Sequence, residues 1–245
     1  MSDVKRHYAE LLGPVYTWYT SAAGDPVARA AGWLERHGLD TEARYLDLGA
    51  GSGAHALALL RAGKRVTAVD FDAALLDELR VAAASYGERL TLHAGDLLAW
   101  VRAATPASFD VVLCVGDTLT HLPALADVDE LVRESARCLA PGGRLAVAYR
   151  DSTRFAAEGV ERFIEVARDA TRSMHCLLEP LDAEHLRVTD IVTEVGPEGP
   201  RTRLGDYVKL RIAPERLLTA ARDVGLELAE RTDERGMTTL CFRKG

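Results

Sequence analysis

No apolar run in the sequence approaches the roughly 20 residues that a membrane-spanning helix needs. Val111-Val112-Leu113-Cys114-Val115, among the longest, has five. The opening residues Met1-Ser2-Asp3-Val4-Lys5-Arg6-His7 are polar and carry no apolar secretion core, so a cytoplasmic protein is expected. Cysteine is sparse. Cys114, Cys138, Cys176 and Cys241 are scattered, without the paired spacing of a zinc site or a disulfide framework, so reduced thiols and no bound metal are expected. There is no basic excess either: 30 basic against 37 acidic residues give a net charge of −7, the wrong sign for a protein that must hold phosphates. Nucleic acid and membrane are therefore not expected partners, and neither repeats nor low-complexity tracts are found. What remains is a chain of 245 residues, 48% hydrophobic and 27% charged, the proportions of one large, well-cored domain. A small-molecule enzyme is the leading class.

Short apolar runs alternate with amphipathic stretches. Buried strands are expected at 44–48, 66–70, 90–94, 110–115 and 145–149, with helices at 54–61, 73–86, 97–103 and 128–139 between them. Strands separated by helices at this spacing imply right-handed βαβ units and a mostly parallel sheet. After Asp151 the pattern changes. A helix is expected at 160–172, then two alternating segments at 185–195 and 201–212, joined by Gly196-Pro197-Glu198-Gly199-Pro200 as a hairpin loop. A helix at 214–224, with Pro214 in its first turn and Gly225 past its end, leads to two closing strands at 227–232 and 238–243. Upstream, Tyr8, Tyr16, Trp18, Tyr19 and Trp33 crowd one segment, either packed on the sheet or forming a lid over a ligand.

The most informative stretch is Asp47-Leu48-Gly49-Ala50-Gly51-Ser52-Gly53-Ala54, where a buried strand meets a glycine-rich turn and a helix. Glycines allow a tight turn and close approach of backbone to ligand, and the helix N-terminus presents amide groups to it. The next strand ends in Asp70, whose carboxylate can accept both ribose hydroxyls of a nucleoside. The glycines alone also satisfy a loose dinucleotide pattern, which leaves NAD open. Asp47, two residues before the first glycine, would repel a pyrophosphate but suits an ammonium or a sulfonium. Asp96, after the third strand, stands where an adenine amino group could donate, and Pro141-Gly142-Gly143 turns into the fifth strand.

From Tyr45 to about Arg150, and again at the C-terminal helix and strands, the sequence resembles the class I S-adenosylmethionine-dependent methyltransferases. The resemblance implies a Rossmann-like α/β sheet, mostly parallel with an antiparallel last strand. With it go an N-terminal helical lid at 1–40 and a methyltransferase domain at 41–245, the latter holding an inserted antiparallel hairpin at about 176–212. S-adenosylmethionine is the implied cofactor, held by Asp47, Gly49, Gly51, Asp70, Phe71, Asp96, Leu97 and Val115.

Two segments are similar, more narrowly, to glycine N-methyltransferases. Gly116-Asp117-Thr118-Leu119-Thr120-His121-Leu122-Pro123 resembles that family's Gly-Asn-Ser-Phe-Ala-His-Leu-Pro, and Tyr149-Arg150-Asp151 its His-Arg-Asn, whose arginine holds a substrate carboxylate. The segment from Tyr8 through Tyr16 and Tyr19 to Arg29 echoes its cofactor-covering segment, which implies cofactor contacts for Tyr8, Tyr16 and Arg29 and a substrate contact for Tyr19. Asp117 and Asp151 depart from the family's asparagines, which points away from glycine as the substrate. The expected activity is methyl transfer to an N or O atom of a carboxylate-bearing metabolite or amino-acid derivative. Arg150 and Asp117 would bind the substrate, and Asp117 and His121 are the titratable groups placed to take a proton. The competing readings are another use of S-adenosylmethionine on the same fold and an NAD-dependent oxidoreductase.

Overall fold

The computed structural model describes residues 3–155, 162–234 and 236–245. The chain opens with α1 (Asp3–His7), a π-helical turn at Tyr8–Leu12, α2 (Tyr16–Ser21) and α3 (Pro26–Arg36). Strands and helices then alternate: β1 (Arg44–Leu48), α4 (Ala54–Arg61), β2 (Arg65–Asp70), α5 (Ala73–Ala82), β3 (Leu90–Ala94), α6 (Leu97–Ala103), β4 (Phe109–Cys114), α7 (Leu125–Cys138) and β5 (Leu139–Arg150). Next come β6 (Arg162–Arg168), β7 (Arg172–Pro180), β8 (His185–Gly196) and β9 (Gly199–Leu210), before α8 (Pro214–Asp223), β10 (Leu226–Glu234) and β11 (Met237–Lys244). Packing divides the chain into two compact units, one formed by Val27–Asp151 with Ile212–Gly245 and one by Met1–Pro26 with Ser152–Arg211.

The larger unit is built on a seven-stranded sheet in the order β10-β11-β5-β4-β1-β2-β3. β1, β2, β3, β4 and β5 pair in parallel, and β11 runs antiparallel to both β5 and β10. Leu46, Leu48, Ala68, Val69, Val111, Val112 and Leu113 are buried, as expected of parallel strands covered on both faces. On one face, α3 lays Val27, Ala30 and Leu34 against a core that includes Leu39, Tyr45, Leu57, Leu60 and Leu76. Each fully buried leucine there contributes roughly 1.5–3 kcal/mol. α5 ends at Ala82, short of the expected residue 86. The chain tightens into a 3₁₀ turn at Ala84–Arg89, where Gly87 takes a φ of 57° that no helix accommodates. Strand order reverses at β1, which has β2 on one side and β4 on the other, so a crevice opens beyond their carboxyl ends.

The smaller unit holds a four-stranded antiparallel sheet, β6-β7-β8-β9. The expected hairpin is present as β8 and β9, but pairing continues to Gly196↔Gly199, so only Pro197-Glu198 turn the corner. The expected helix at 160–172 is not formed. Residues 160 and 161 lie outside the described residues, and β6 and β7 take the rest. Phe163, Ile164 and Val166 favour an extended backbone, and a bulge between Glu165 and Ala167 breaks the period-2 signal that would have shown it. α1 is pinned to this sheet by His7, whose Nε2 lies 2.8 Å from Asp190 Oδ2 on β8, both side chains almost wholly buried. Its ring packs on Tyr207, centroids 4.7 Å apart. Gly205 makes room, since a Cβ there would fall 2.8 Å from His7 Nδ1. The buried Arg211 ties the sheet's end to the chain entering it, donating to the carbonyls of Ser152, Phe155 and Asp182.

Candidate active site

The glycine turn beyond β1 adopts the conformation its sequence requires. Gly49, Gly51 and Gly53 have φ of 77°, 55° and 86°, the left-handed region that side chains resist. A Cβ on Gly49 would lie 2.3 Å from the Thr118 side chain, and one on Gly53 2.3 Å from Leu79. Gly49 N–H and Ala50 N–H both donate to Val69 O, at 2.8 and 3.2 Å, which ties the turn to the end of β2.

Two carboxylates flank this turn, Asp47 on β1 and Asp70 at the end of β2. Asp70 is largely buried; its Oδ2 accepts Gly51 N–H at 2.7 Å and its Oδ1 accepts Asp72 N–H at 2.8 Å. Burial raises its pKa, against the backbone hydrogen bonds from Asp72, Gly51 and Phe71, and the carboxylate keeps acceptor capacity for a ligand hydroxyl. Asp47 is 1% exposed, and its Oδ2 has no hydrogen-bond partner. Burial first, then the charge of Asp70, pushes its carboxyl up to about 7. No lysine or arginine stands between Asp47 and Arg61. Asp70 at the end of β2 would take a ribose in either ligand, but the buried acid Asp47 beside the turn opposes a pyrophosphate and weighs against the dinucleotide reading. Together the two acids suit a cationic, phosphate-free nucleoside, and the orphaned oxygen of Asp47 is a group that such a ligand would satisfy. Phe71 follows Asp70, half-buried. Asp96 is exposed and caps α6, its Oδ1 accepting Leu98 N–H and Ala99 N–H at 3.1 and 3.0 Å, with Leu97 opening the helix.

The ends of β4 and β5 form the second half of the cleft. Val115 is buried, and Gly116 and Asp117 both have positive φ, 80° and 79°. Asp117 latches the two strands together. Its N–H donates to Ala148 O at 3.3 Å and its Oδ1 accepts the Arg150 backbone N–H at 2.9 Å. The bond uses the arginine's backbone and leaves its guanidinium out. Arg150 ends β5, exposed, and His121 closes a 3₁₀ turn at Thr118–His121, half-buried.

Thr118, which the sequence reading passed over, joins the halves. It packs into the space that Gly49 leaves and donates to Val115 O at 3.1 Å. The available signal was its position, just past the strand facing a glycine turn. In the smaller unit, Tyr8, Tyr16 and Tyr19 form one cluster, with ring centroids 6.3 Å apart for the first pair and 5.2 Å for the second. Trp18 is engaged elsewhere. Its Nε1 donates to Asp169 at 2.7 Å and its ring lies under the Arg172 guanidinium. Arg29 is exposed on α3. Among the described residues no helix is long and apolar enough to cross a membrane.

Residues 46–143 match the family model described as a methyltransferase domain. The chain is 31% identical over 192 residues to a ubiquinone biosynthesis O-methyltransferase of Xylella fastidiosa, covering 71% of this chain and 75% of that one. Counterparts of the same name from Vibrio cholerae are 28% identical over 151 residues, 60% of this chain, which spans 59% of their length. Among solved structures, the CcbJ methyltransferase from Streptomyces caelestis aligns with a TM-score of 0.80 at 24% identity, covering 97% of this chain and 98% of that one. The amino pentose methyltransferase CalS10 from Micromonospora echinaspora, solved with S-adenosylmethionine bound, aligns at 0.70 and 22% identity, covering 90% and 91%.

Proposed function

Because the chain belongs to the class I S-adenosylmethionine-dependent methyltransferases, we propose that it methylates an N or O atom of a small molecule bearing a carboxylate. S-adenosylmethionine, when bound, supplies a methyl group made electrophilic by the adjacent sulfonium. The chain's own residues bind, orient and accept a proton. Asp70 accepts the ribose hydroxyls, Asp47 faces the cationic amino-acid portion, and Gly49 and Gly51 let the backbone come close. Asp96 and Leu97 take the adenine, with Phe71 and Val115 as apolar walls. From the resemblance, Tyr8, Tyr16 and Arg29 contact the cofactor and Tyr19 the substrate, the segment ahead of α3 acting as a lid.

The observation that carries the acceptor reading is the arginine at the end of β5. The Asp117 latch fixes the backbone of Arg150 and leaves its guanidinium, a planar fork, available for a carboxylate. The resemblance to glycine N-methyltransferases supports the same role, and relatives whose names state an O-methyltransferase and an amino pentose methyltransferase accord with small acceptors. Proton removal from a hydroxyl or an ammonium falls to His121 or Asp117. Holding the nucleophile in line with the methyl can be worth ~7–11 kcal/mol at best, so positioning is the main task.

The test is a screen of amino acids and carboxylated amines for S-adenosylhomocysteine release, with a product heavier by one methyl. Esters of the same compounds should be poor substrates. Equal turnover of acid and ester would remove Arg150 from the role, and cofactor consumption without a methylated product would indicate other chemistry.

A further inference from the structure

On the α3 face of the sheet, away from the glycine turn, three ligand-type side chains meet. His37 follows α3, Glu230 lies on β10 and Cys241 on β11, and their ligand atoms all lie within 4.8 Å of one another. His37 Nδ1 is 2.9 Å from Glu230 Oε2. Cys241 is buried and His37 nearly so, while Glu230 is 37% exposed and leaves an entry path from solvent. Cys241 stands in one row with Ala146, Leu113 and Asp47 across β5, β4 and β1, so about 14 Å of sheet separates it from the cofactor turn.

The backbone is arranged to bring these groups together. Between Leu228 and Glu230 the β10–β11 register shifts by one residue, so Glu230 rather than Ala229 stands opposite Cys241. Bulges re-aim side chains in this way. Trp33 packs on the His37 ring, centroids 4.8 Å apart, and holds it with Nδ1 toward the pair. A histidine–glutamate hydrogen bond alone requires no thiol beside it. We infer that His37, Glu230 and Cys241 bind a zinc-like divalent cation, with water completing the coordination.

The donor set decides the class of ion. One imidazole nitrogen, one thiolate and one carboxylate suit a borderline-soft ion such as Zn(II), and are wrong for magnesium or calcium, which take oxygen. With bonds of about 2.0–2.3 Å to zinc, the nitrogen–oxygen pair spreads slightly and the widest separation closes by about an ångström. A thiolate and a carboxylate also balance the two charges of the ion, which a buried site needs. The groups facing the site are Glu230 and Arg144, both acting on the thiol, and His37. Cysteine and histidine bind a metal as thiolate and neutral imidazole, so the cation displaces protons and its affinity rises with pH. Sequence spacing hides such a site, because His37 and Glu230 are 193 positions apart.

The test uses the full chain stripped with a chelator, then titrated with Zn(II) against a chromophoric competitor, and with Co(II) followed by absorbance. One ion per chain is expected, with a thiolate-to-cobalt charge-transfer band, a raised melting temperature and tighter binding at higher pH. Cys241→Ala should abolish the band and weaken Zn(II) binding by at least about 100-fold. His37→Gln and Glu230→Gln should each weaken it by about 10-fold or more. Should Cys241→Ala fail to fold, Glu230→Gln, at a part-exposed position, carries the test. No saturable binding, a band that persists in Cys241→Ala, or unchanged affinity in Glu230→Gln would overturn the site. None of these readouts depends on methyl transfer.

Discussion

Asp47 is buried where an ordinary carboxylate would be unstable, and its consequences can be measured. Its carboxyl rises from an ordinary 3.8 to about 7. Between those values the native state keeps a proton that the unfolded chain has lost, so stability falls as pH rises through that window and then levels off. Asp47→Asn cannot ionise. It should match the wild type near pH 4 and exceed it near pH 8 by up to about 4 kcal/mol, read by urea unfolding at both pH values. The same substitution should weaken binding of the cationic cofactor at pH 8, where the wild-type carboxylate is charged. A variant no more stable at pH 8 than at pH 4, relative to wild type, would show that Asp47 is ionised without strain. Gly49 makes a complementary case. Gly49→Ala combines a φ of 77° with a Cβ driven to 2.3 Å from Thr118. It should cost about 1–3 kcal/mol by thermal unfolding and also impair cofactor binding.

Two side-chain contacts join elements that are far apart in the sequence. Asp117 joins β4 to β5 through the Arg150 backbone. Asp117→Asn keeps an acceptor and should hold the latch, so a fall in kcat with little change in KM would identify a proton acceptor. Asp117→Ala loses the latch and should raise KM for substrate while cofactor affinity holds. Arg150→Lys should raise KM for a carboxylate substrate at unchanged melting temperature, because lysine lacks the fork. Stable variants with intact kinetics would remove both residues from the substrate site. In the smaller unit, α1 is held to β8 by the buried His7–Asp190 pair. His7→Leu strands a buried carboxylate and should cost about 3–5 kcal/mol, whereas His7→Leu with Asp190→Leu should recover much of it. Equal losses in the single and double variants would mean that packing alone holds the helix.

At the scale of the molecule, legibility followed the regularity of the backbone. The parallel core was readable because both faces of β1, β2 and β4 are buried, which leaves unbroken apolar runs such as Val111-Val112-Leu113. The glycine turn was readable because three left-handed positions accept little but glycine. β6 was misread as helix because its bulge at Glu165 and Ala167 disrupts alternation. The Asp117–Arg150 bond escaped notice because a side chain reaching a backbone amide 33 positions away leaves no mark in either residue's neighbours. The Tyr8, Tyr16 and Tyr19 cluster was visible only as composition, since its geometry depends on a π-helical turn.

The central claim is that the two acids at the glycine turn hold S-adenosylmethionine. Isothermal titration of the wild type and of Asp70→Ala with S-adenosylhomocysteine and with NAD tests it most directly. The account predicts one S-adenosylhomocysteine per chain, no NAD binding, and a loss on the order of 2 kcal/mol in Asp70→Ala from the missing charged acceptor. Unchanged affinity in a folded Asp70→Ala, or a preference for NAD, would contradict it.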